Sequence, residues 1–361
     1  MPVRDDTIFR IYSMTKPITS VAFMMLVEEG RVAIDEPVHR YIPDWKNLGV
    51  FVAGTNPAFL TRPPSRPMQI VDLLRHTSGL TYGFQQRSNV DAAYRERKLG
   101  EVEKAGTLQS MVEDLAKIPL EFSPGEAWNY SLSTDVIGYL IEKITDKPFE
   151  QFLKERIFDP LGMKDTDFYV SADKAHRLAA CYSADPQGGM SFHAGVRREG
   201  LTLQDDPKTS SFLSPPSLIS GGGGLCSTTA DYLSFCRALI NGGELAGVRL
   251  LGPKTLKLMT SNHLPGGLDL PGLSRSLFSE ATYYGIGFGL GFSVTMDPPK
   301  TLIAGSPGEY SWGGAATTSF WIDPAEELIT IFMTQVLPSS AYPLRRELRS
   351  MIYAAITESN L

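Results

Sequence analysis

The segment from Pro17 to Val27, P-I-T-S-V-A-F-M-M-L-V, is apolar around almost its whole circumference when wound as an α-helix. Ile18, Val21, Ala22 and Met25 share one face, Phe23, Met24, Leu26 and Val27 fill most of the others, and only Thr19 and Ser20 are polar. A helix with no polar stripe cannot lie at a surface, so it predicts a rod buried in the middle of a domain. Pro17 suits the first turn, where few N–H groups have partners. Glu28-Glu29-Gly30 supplies polar residues and then a C-terminal glycine to stop it. At 361 residues and 42% hydrophobic, the chain can bury such a rod in one large domain or two intimate ones.

Ser13 and Lys16 stand where the rod begins, three apart, so their side chains can share a face. A lysine in a first turn opposes the helix dipole, and burial disfavours its charged form. Both effects lower its pKa, which a lysine needs in order to act as a base at neutral pH. The serine beside it lies where backbone N–H groups could support a developing anion. S-x-x-K therefore fits an activated nucleophile. The four residues alone fit better an N-cap serine followed by a solvated lysine.

Charge and cysteine usage narrow the surroundings. A net charge of −6 and a pI near 5.5 argue against nucleic acid or an anionic membrane as main partner. No apolar run approaches the roughly 18 residues that span a bilayer, and M-P-V-R-D-D is not a secretory start. Cys181, Cys226 and Cys236 are odd in number and scattered, as reduced core residues are, so a cytoplasmic location is expected. His39, His76, His176, His193 and His263 show no metal spacing, and no G-x-S-x-G occurs. Neither a metallohydrolase nor an α/β-hydrolase is supported.

Along the chain, Met68–Arg75 reads as a short helix running into the turn His76–Leu80, and 87–104 as a solvated helix or mobile loop. Thr107–Lys117 is helical. Ser133 or Thr134 should cap a helix whose apolar positions are Val136, Ile137, Leu140, Ile141 and Ile144. Residues 163–215 read as irregular and poor in strand. Ser220–Ala230 holds four glycines ahead of a helix over 231–241; without G-K-[ST] they fit close backbone approach better than a phosphate cradle. Gly285–Met296, Gly314–Ile322 and Glu327–Gln335 read as strands, the last two forming a hairpin at Asp323-Pro324, and Arg345–Ile356 as a closing helix. The fold class is α/β (α+β): an antiparallel sheet flanked by helices from residues 1–66 and 225–361, and a mostly helical second domain from 67–224.

S-M-T-K, Tyr130-Ser131-Leu132 ahead of a helix, and Trp312-Gly313-Gly314 form an ordered set, joined by L-L-R-H-T-S-G-L (73–80) and G-G-G-G-L-C-S-T (221–228). The set resembles the serine β-lactamase and penicillin-binding protein superfamily, and within it the family VIII carboxylesterases, which are similar to class C β-lactamases. The resemblance covers almost the whole chain. It implies a site in the cleft between the two domains, with Ser13 as the acylated nucleophile and Lys16 with Tyr130 as its general-base pair. It implies an oxyanion hole made by the backbone N–H groups of Ser13 and Ala315, and a substrate-binding wall at Trp312, Gly313 and Gly314. No cofactor and no metal are implied.

Two departures from β-lactamases shape the expected substrate. Their second motif usually ends in asparagine, where this chain has Leu132, and their third begins with lysine, where it has Trp312. An indole cannot pair with a β-lactam carboxylate, so the cleft is expected to be neutral and apolar. It would suit a carboxylic ester with a short acyl chain. β-Lactamase or D-Ala-D-Ala peptidase activity, acyl transfer, and a catalytically silent scaffold are the alternatives. Relatives also carry several tens of residues, including sheet strands, before this serine. An exposed sheet edge that promotes homo-oligomer formation is therefore expected.

Overall fold

The computed structural model describes residues 2–100, 105–184, 200–275 and 283–360. The apolar rod is present as helix α1, Thr15–Glu28, and every residue from Thr15 to Leu26 is buried. A tight turn, Tyr12–Met14, leads into it, and the N-cap position falls on Met14 without a side-chain cap. Ser13 is thus not a capping serine. Its hydroxyl remains available for other contacts.

Helix α2, Ser133–Thr145, packs against α1. Its N-cap is Leu132, so neither Ser133 nor Thr134 caps it as the sequence suggests. The Ser133 hydroxyl is instead taken up by Ser131 and Ser78, both at 2.8 Å. Helix α3, Thr229–Ile240, is capped by Thr228, which accepts the Asp231 N–H at 3.2 Å.

The main sheet is antiparallel, in the order β5-β4-β3-β2-β1, and its strands follow one another along the chain. They are β1 (Ile286–Phe288), β2 (Ser293–Thr295), β3 (Tyr310–Gly313), β4 (Ser319–Asp323) and β5 (Leu328–Phe332). The stretch 285–296, expected as one strand, is a hairpin closed by the Gly289 N–H on the Phe292 carbonyl at 2.8 Å. Its glycine-and-hydrophobic alternation suits two short arms as well as one long strand. Likewise Gly314 does not begin a strand: β3 ends at Gly313, and Gly314–Thr318 is a turn closed at 2.8 Å.

Residues 163–215 are not free of strand. Cys181–Ser183 pairs antiparallel with Thr202–Asp205 and parallel with the distant Val336–Leu337. Three-residue strands held by such remote partners leave little local periodicity to read. In the charged stretch 87–104, Asn89–Glu96 is a helix that buries Val90, Ala93 and Tyr94. The part at 101–104 lies outside the described residues.

One continuous apolar cluster joins α1, α2, α3 and the sheet, with Phe23, Leu140, Phe235 and Phe320 all fully enclosed. Helix α4, Leu344–Ala354, closes the chain and has no fully buried residue. The outer edge of β5 has no strand partner among the described residues, and Leu328 to Phe332 are all half-buried. No described helix is long and apolar enough to cross a membrane.

Candidate active site

Two side chains converge on the Ser13 oxygen. The Tyr130 hydroxyl lies 2.6 Å from Ser13 Oγ, and Lys16 Nζ lies 3.2 Å from the same atom. Ser13 is half-buried, whereas Lys16 and Tyr130 are buried. Tyr130 reaches Ser13 from the loop before α2, which is fixed by the Asn129 N–H on the His76 carbonyl (2.9 Å) and the Leu132 N–H on the Thr81 carbonyl (3.3 Å). Its ring packs against His76, Tyr82 and Trp312, with centroids 5.1, 5.2 and 5.5 Å away. A phenol held on three sides keeps a single approach to the serine.

Lys16 donates to the Gly222 carbonyl at 2.6 Å and lies over the rings of Tyr130 (4.5 Å) and Tyr82 (5.3 Å). Burial pulls its pKa down to about 7, and the negative charge of Asp135 opposes that fall. Asp135, itself fully enclosed, accepts the Ser220 hydroxyl at 2.5 Å and the Gly222 N–H at 3.0 Å. Burial raises its pKa, against the charge of Lys16 and these hydrogen bonds. Only a glycine fits at 222, because a Cβ there would stand 2.4 Å from Asp135 Oδ2. The glycine run therefore serves close backbone approach.

Burial pushes the Tyr130 hydroxyl above its ordinary value, partly offset by the hydrogen bond with Ser13 and by the neighbouring Trp312 indole N–H. It therefore stays a phenol at neutral pH, beside a lysine that is close to half-neutral. His76, buried and near Lys16, is held well below the usual imidazole range and stays uncharged. Its Nδ1 meets Ser131 Oγ at 3.2 Å, behind the Tyr130 loop.

The W-G-G segment borders the same place. Trp312 is buried against Tyr130 and Phe288. A Cβ on Gly314 would fall 2.4 Å from the Ile11 carbonyl oxygen, so the missing side chain lets this turn dock on the backbone two residues before Ser13. Ala315, next in the turn, packs in a small cluster with Tyr12. Tyr12 adopts φ +43°, an uncommon conformation for a residue with a side chain, immediately ahead of the serine.

The structure thus brings together Ser13, Lys16, Tyr130, Trp312 and the Gly313–Ala315 turn. Sequence reasoning missed Asp135, Gly222, Tyr82 and Arg345. Asp135 reads as an ordinary first-turn acid, and only its burial shows otherwise. Arg345 adds a positive charge behind the W-G-G turn, since its guanidinium lies against Gly313 and its charge reaches Tyr130. No group of three histidine, cysteine, aspartate or glutamate side chains able to hold a metal ion occurs among the described residues.

Known proteins share this chain's fold over most of its length. Protein Rv1367c of Mycobacterium tuberculosis is 37% identical over 94% of this chain and 80% of its own length. Esterase EstB of Burkholderia gladioli is 30% identical over 98% of this chain and 84% of its own. The solved structure of EstCE1, a hydrolase with promiscuous acyltransferase activity, superposes with a TM-score of 0.76. It is 25% identical, over 98% of this chain and 86% of its own. The family model described as Beta-lactamase matches residues 1–352, and the chain, in which a serine, a lysine and a tyrosine meet at one oxygen, belongs to the beta-lactamase family.

Proposed function

We propose that this protein is a serine hydrolase of the carboxylesterase type, similar to family VIII enzymes, that cleaves esters with short acyl chains through an acyl-enzyme on Ser13. The observation that carries the reading is the meeting of Lys16 and Tyr130 at Ser13 Oγ. As Ser13 Oγ attacks the ester carbonyl, its proton passes to neutral Lys16, and the carbonyl oxygen becomes an anion received by the N–H groups of Ser13 and Ala315. When the carbon–oxygen bond breaks, Tyr130 donates its proton to the leaving alkoxide and is reprotonated by the Lys16 ammonium. Water then attacks the acyl group, gives up a proton along the same route and restores Ser13. A pKa near 7 leaves Lys16 competent in both directions at neutral pH.

The substrate would enter between residues 67–224, which supply Tyr130, and residues 1–66 with 225–361, which supply Ser13 and the W-G-G turn. Trp312 in place of a lysine favours a neutral ester over an anionic β-lactam or peptide C-terminus. The test is mass spectrometry after brief exposure to p-nitrophenyl butyrate or a cephalosporin, for wild type and Ser13→Ala. Ester turnover that is lost in Ser13→Ala, with little cephalosporin turnover, supports the proposal. Rapid cephalosporin turnover would reassign the substrate to β-lactams, and absence of acylation by either would make the protein a silent scaffold. Acyl transfer to an alcohol is a second reading, favoured by the likeness to EstCE1. Product analysis with added alcohol separates ester formation from hydrolysis.

A further inference from the structure

Arg345, Arg349 and Tyr353 recur every four residues on α4 and so share a face. The lower two anchor the helix to the sheet. Arg349 donates to Glu309 at 2.7 Å, and the Tyr353 hydroxyl lies 2.6 Å from Glu309 and 2.8 Å from Asp323. Because α4 has no fully buried residue, this polar ladder does much of the work of placing it. Arg345, the upper rung, then falls on the turn that follows β3.

There its Nη2 donates to the Gly314 carbonyl at 2.6 Å and the Thr318 carbonyl at 2.8 Å. The guanidinium fits because residue 313 is glycine: a Cβ would stand 2.7 Å from its central carbon. The turn that it grips is strained, since Thr317, a β-branched residue, is held at φ +68°. Such a conformation persists only where its surroundings over-determine it. Between the two gripped carbonyls stands Ala315, whose N–H is the second oxyanion donor in the acyl-enzyme reading.

We propose that Arg345 is the positioning residue of the oxyanion hole: its Nη2 locks the Gly314–Thr318 turn and so aims the Ala315 N–H at the oxygen of the carbonyl attacked by Ser13. The role rests on the acyl-enzyme reading given above. Lysine replaces it poorly, because its ammonium rides on a flexible stem without the rigid guanidinium plane that fixes Nη2 between the two carbonyls. Its charge also reaches Tyr130, where it partly offsets the effect of burial, but the positioning role stands on the hydrogen bonds.

The test compares wild type with Arg345→Ala, Arg345→Lys and Gly313→Ala. It measures the rate at which a fluorophosphonate labels Ser13, located by peptide mass spectrometry, and kcat and KM for p-nitrophenyl butyrate. Arg345→Ala should lower the labelling rate and kcat roughly tenfold to a hundredfold, with KM within about threefold. Guanidinium ion at low millimolar concentration should restore part of that loss, whereas Arg345→Lys should remain impaired. Gly313→Ala, which keeps the arginine but displaces it, should show the same loss in kcat. Wild-type rates in Arg345→Ala and Gly313→Ala, or a loss confined to KM, would overturn the role while leaving the acyl-enzyme intact. Absence of Ser13 labelling in the wild type would overturn the acyl-enzyme reading, and the positioning role with it.

Discussion

Asp135 reaches Lys16 through a single residue, Gly222. Its carboxylate accepts the N–H of Gly222 at 3.0 Å, and the preceding contact continues from the carbonyl of the same residue, which accepts Lys16 Nζ at 2.6 Å. Asp135 is the negative charge that keeps Lys16 from falling further below about 7. Asp135→Asn preserves an oxygen for Gly222 but removes that charge. The pKa of Lys16 should then drop, and the acid limb of the kcat/KM profile for a neutral ester should move to lower pH. A limb that stays in place in Asp135→Asn would show that Lys16 is not the titrating base.

Lys16 also sets a cost in stability whose sign is fixed. Its pKa is 10.5 unfolded and about 7 folded, so between those values the unfolded chain binds the extra proton and stability rises with pH. Below pH 7 the full cost of the buried ammonium is present. Lys16→Met should therefore stabilise the protein more at pH 6 than at pH 9, by on the order of 2 to 3 kcal/mol. Urea denaturation at the two pH values decides it, and equal gains at both would refute the assignment.

Tyr130→Phe removes the phenol without emptying the space between His76, Tyr82 and Trp312. The fold should be retained by circular dichroism, while kcat falls by roughly a hundredfold to ten-thousandfold, the range of a lost general acid–base group. A kcat within a factor of about ten of wild type would move the proton-delivery role elsewhere.

Gly314→Ala places a methyl 2.4 Å from the Ile11 carbonyl and 2.3 Å from Thr318 Oγ1. Backbone must shift to admit it, at about 1–3 kcal/mol, and the shift opens the gap between the turn and Ser13. Lowered thermal stability together with a kcat loss at nearly constant KM is the expected result. Destabilisation with unchanged kcat would mean that the turn does not shape the reaction.

Asp72 offers a contrast far from the chemistry. Burial alone would raise its pKa, but the Arg66 guanidinium, at 2.6 and 2.8 Å, and the Gln69 N–H lower it overall. Its stabilising contribution is therefore present above the ordinary carboxylate range and is lost as pH falls through and below it. Asp72→Asn should cost about 1–3 kcal/mol at neutral pH, because it leaves partly buried donors without their anion. The difference from wild type should shrink on acidification, which denaturant titrations at several pH values would follow.

The buried helix was legible because its signal is local: eleven residues without a polar stripe, with serine and lysine one turn apart at its head. The order of the three short motifs made Tyr130 and Trp312 legible as well. What escaped is non-local. Nothing in the neighbourhood of Asp135 shows that it faces Gly222, and Arg345 reads as one more charge on a closing helix until the turn after β3 is seen beneath it. The strand at Cys181–Ser183 pairs with residues more than a hundred positions later, and short segments of that kind carry no periodicity of their own. Ser133 misled for the opposite reason, since a residue that suits an N-cap spends its hydroxyl on two other serines.

The Ser13 oxygen meets a tyrosine 117 positions later, and Lys16 meets a carbonyl 206 positions later. Closing loops of that length is among the slower and more entropically demanding events of chain collapse. Until both have closed, the serine is an ordinary alcohol and the lysine an ordinary cation in water. In the acyl-enzyme reading, a copy that has not closed both loops therefore has no means of attacking an ester. Under that reading, turnover would report the fraction of molecules that have completed assembly.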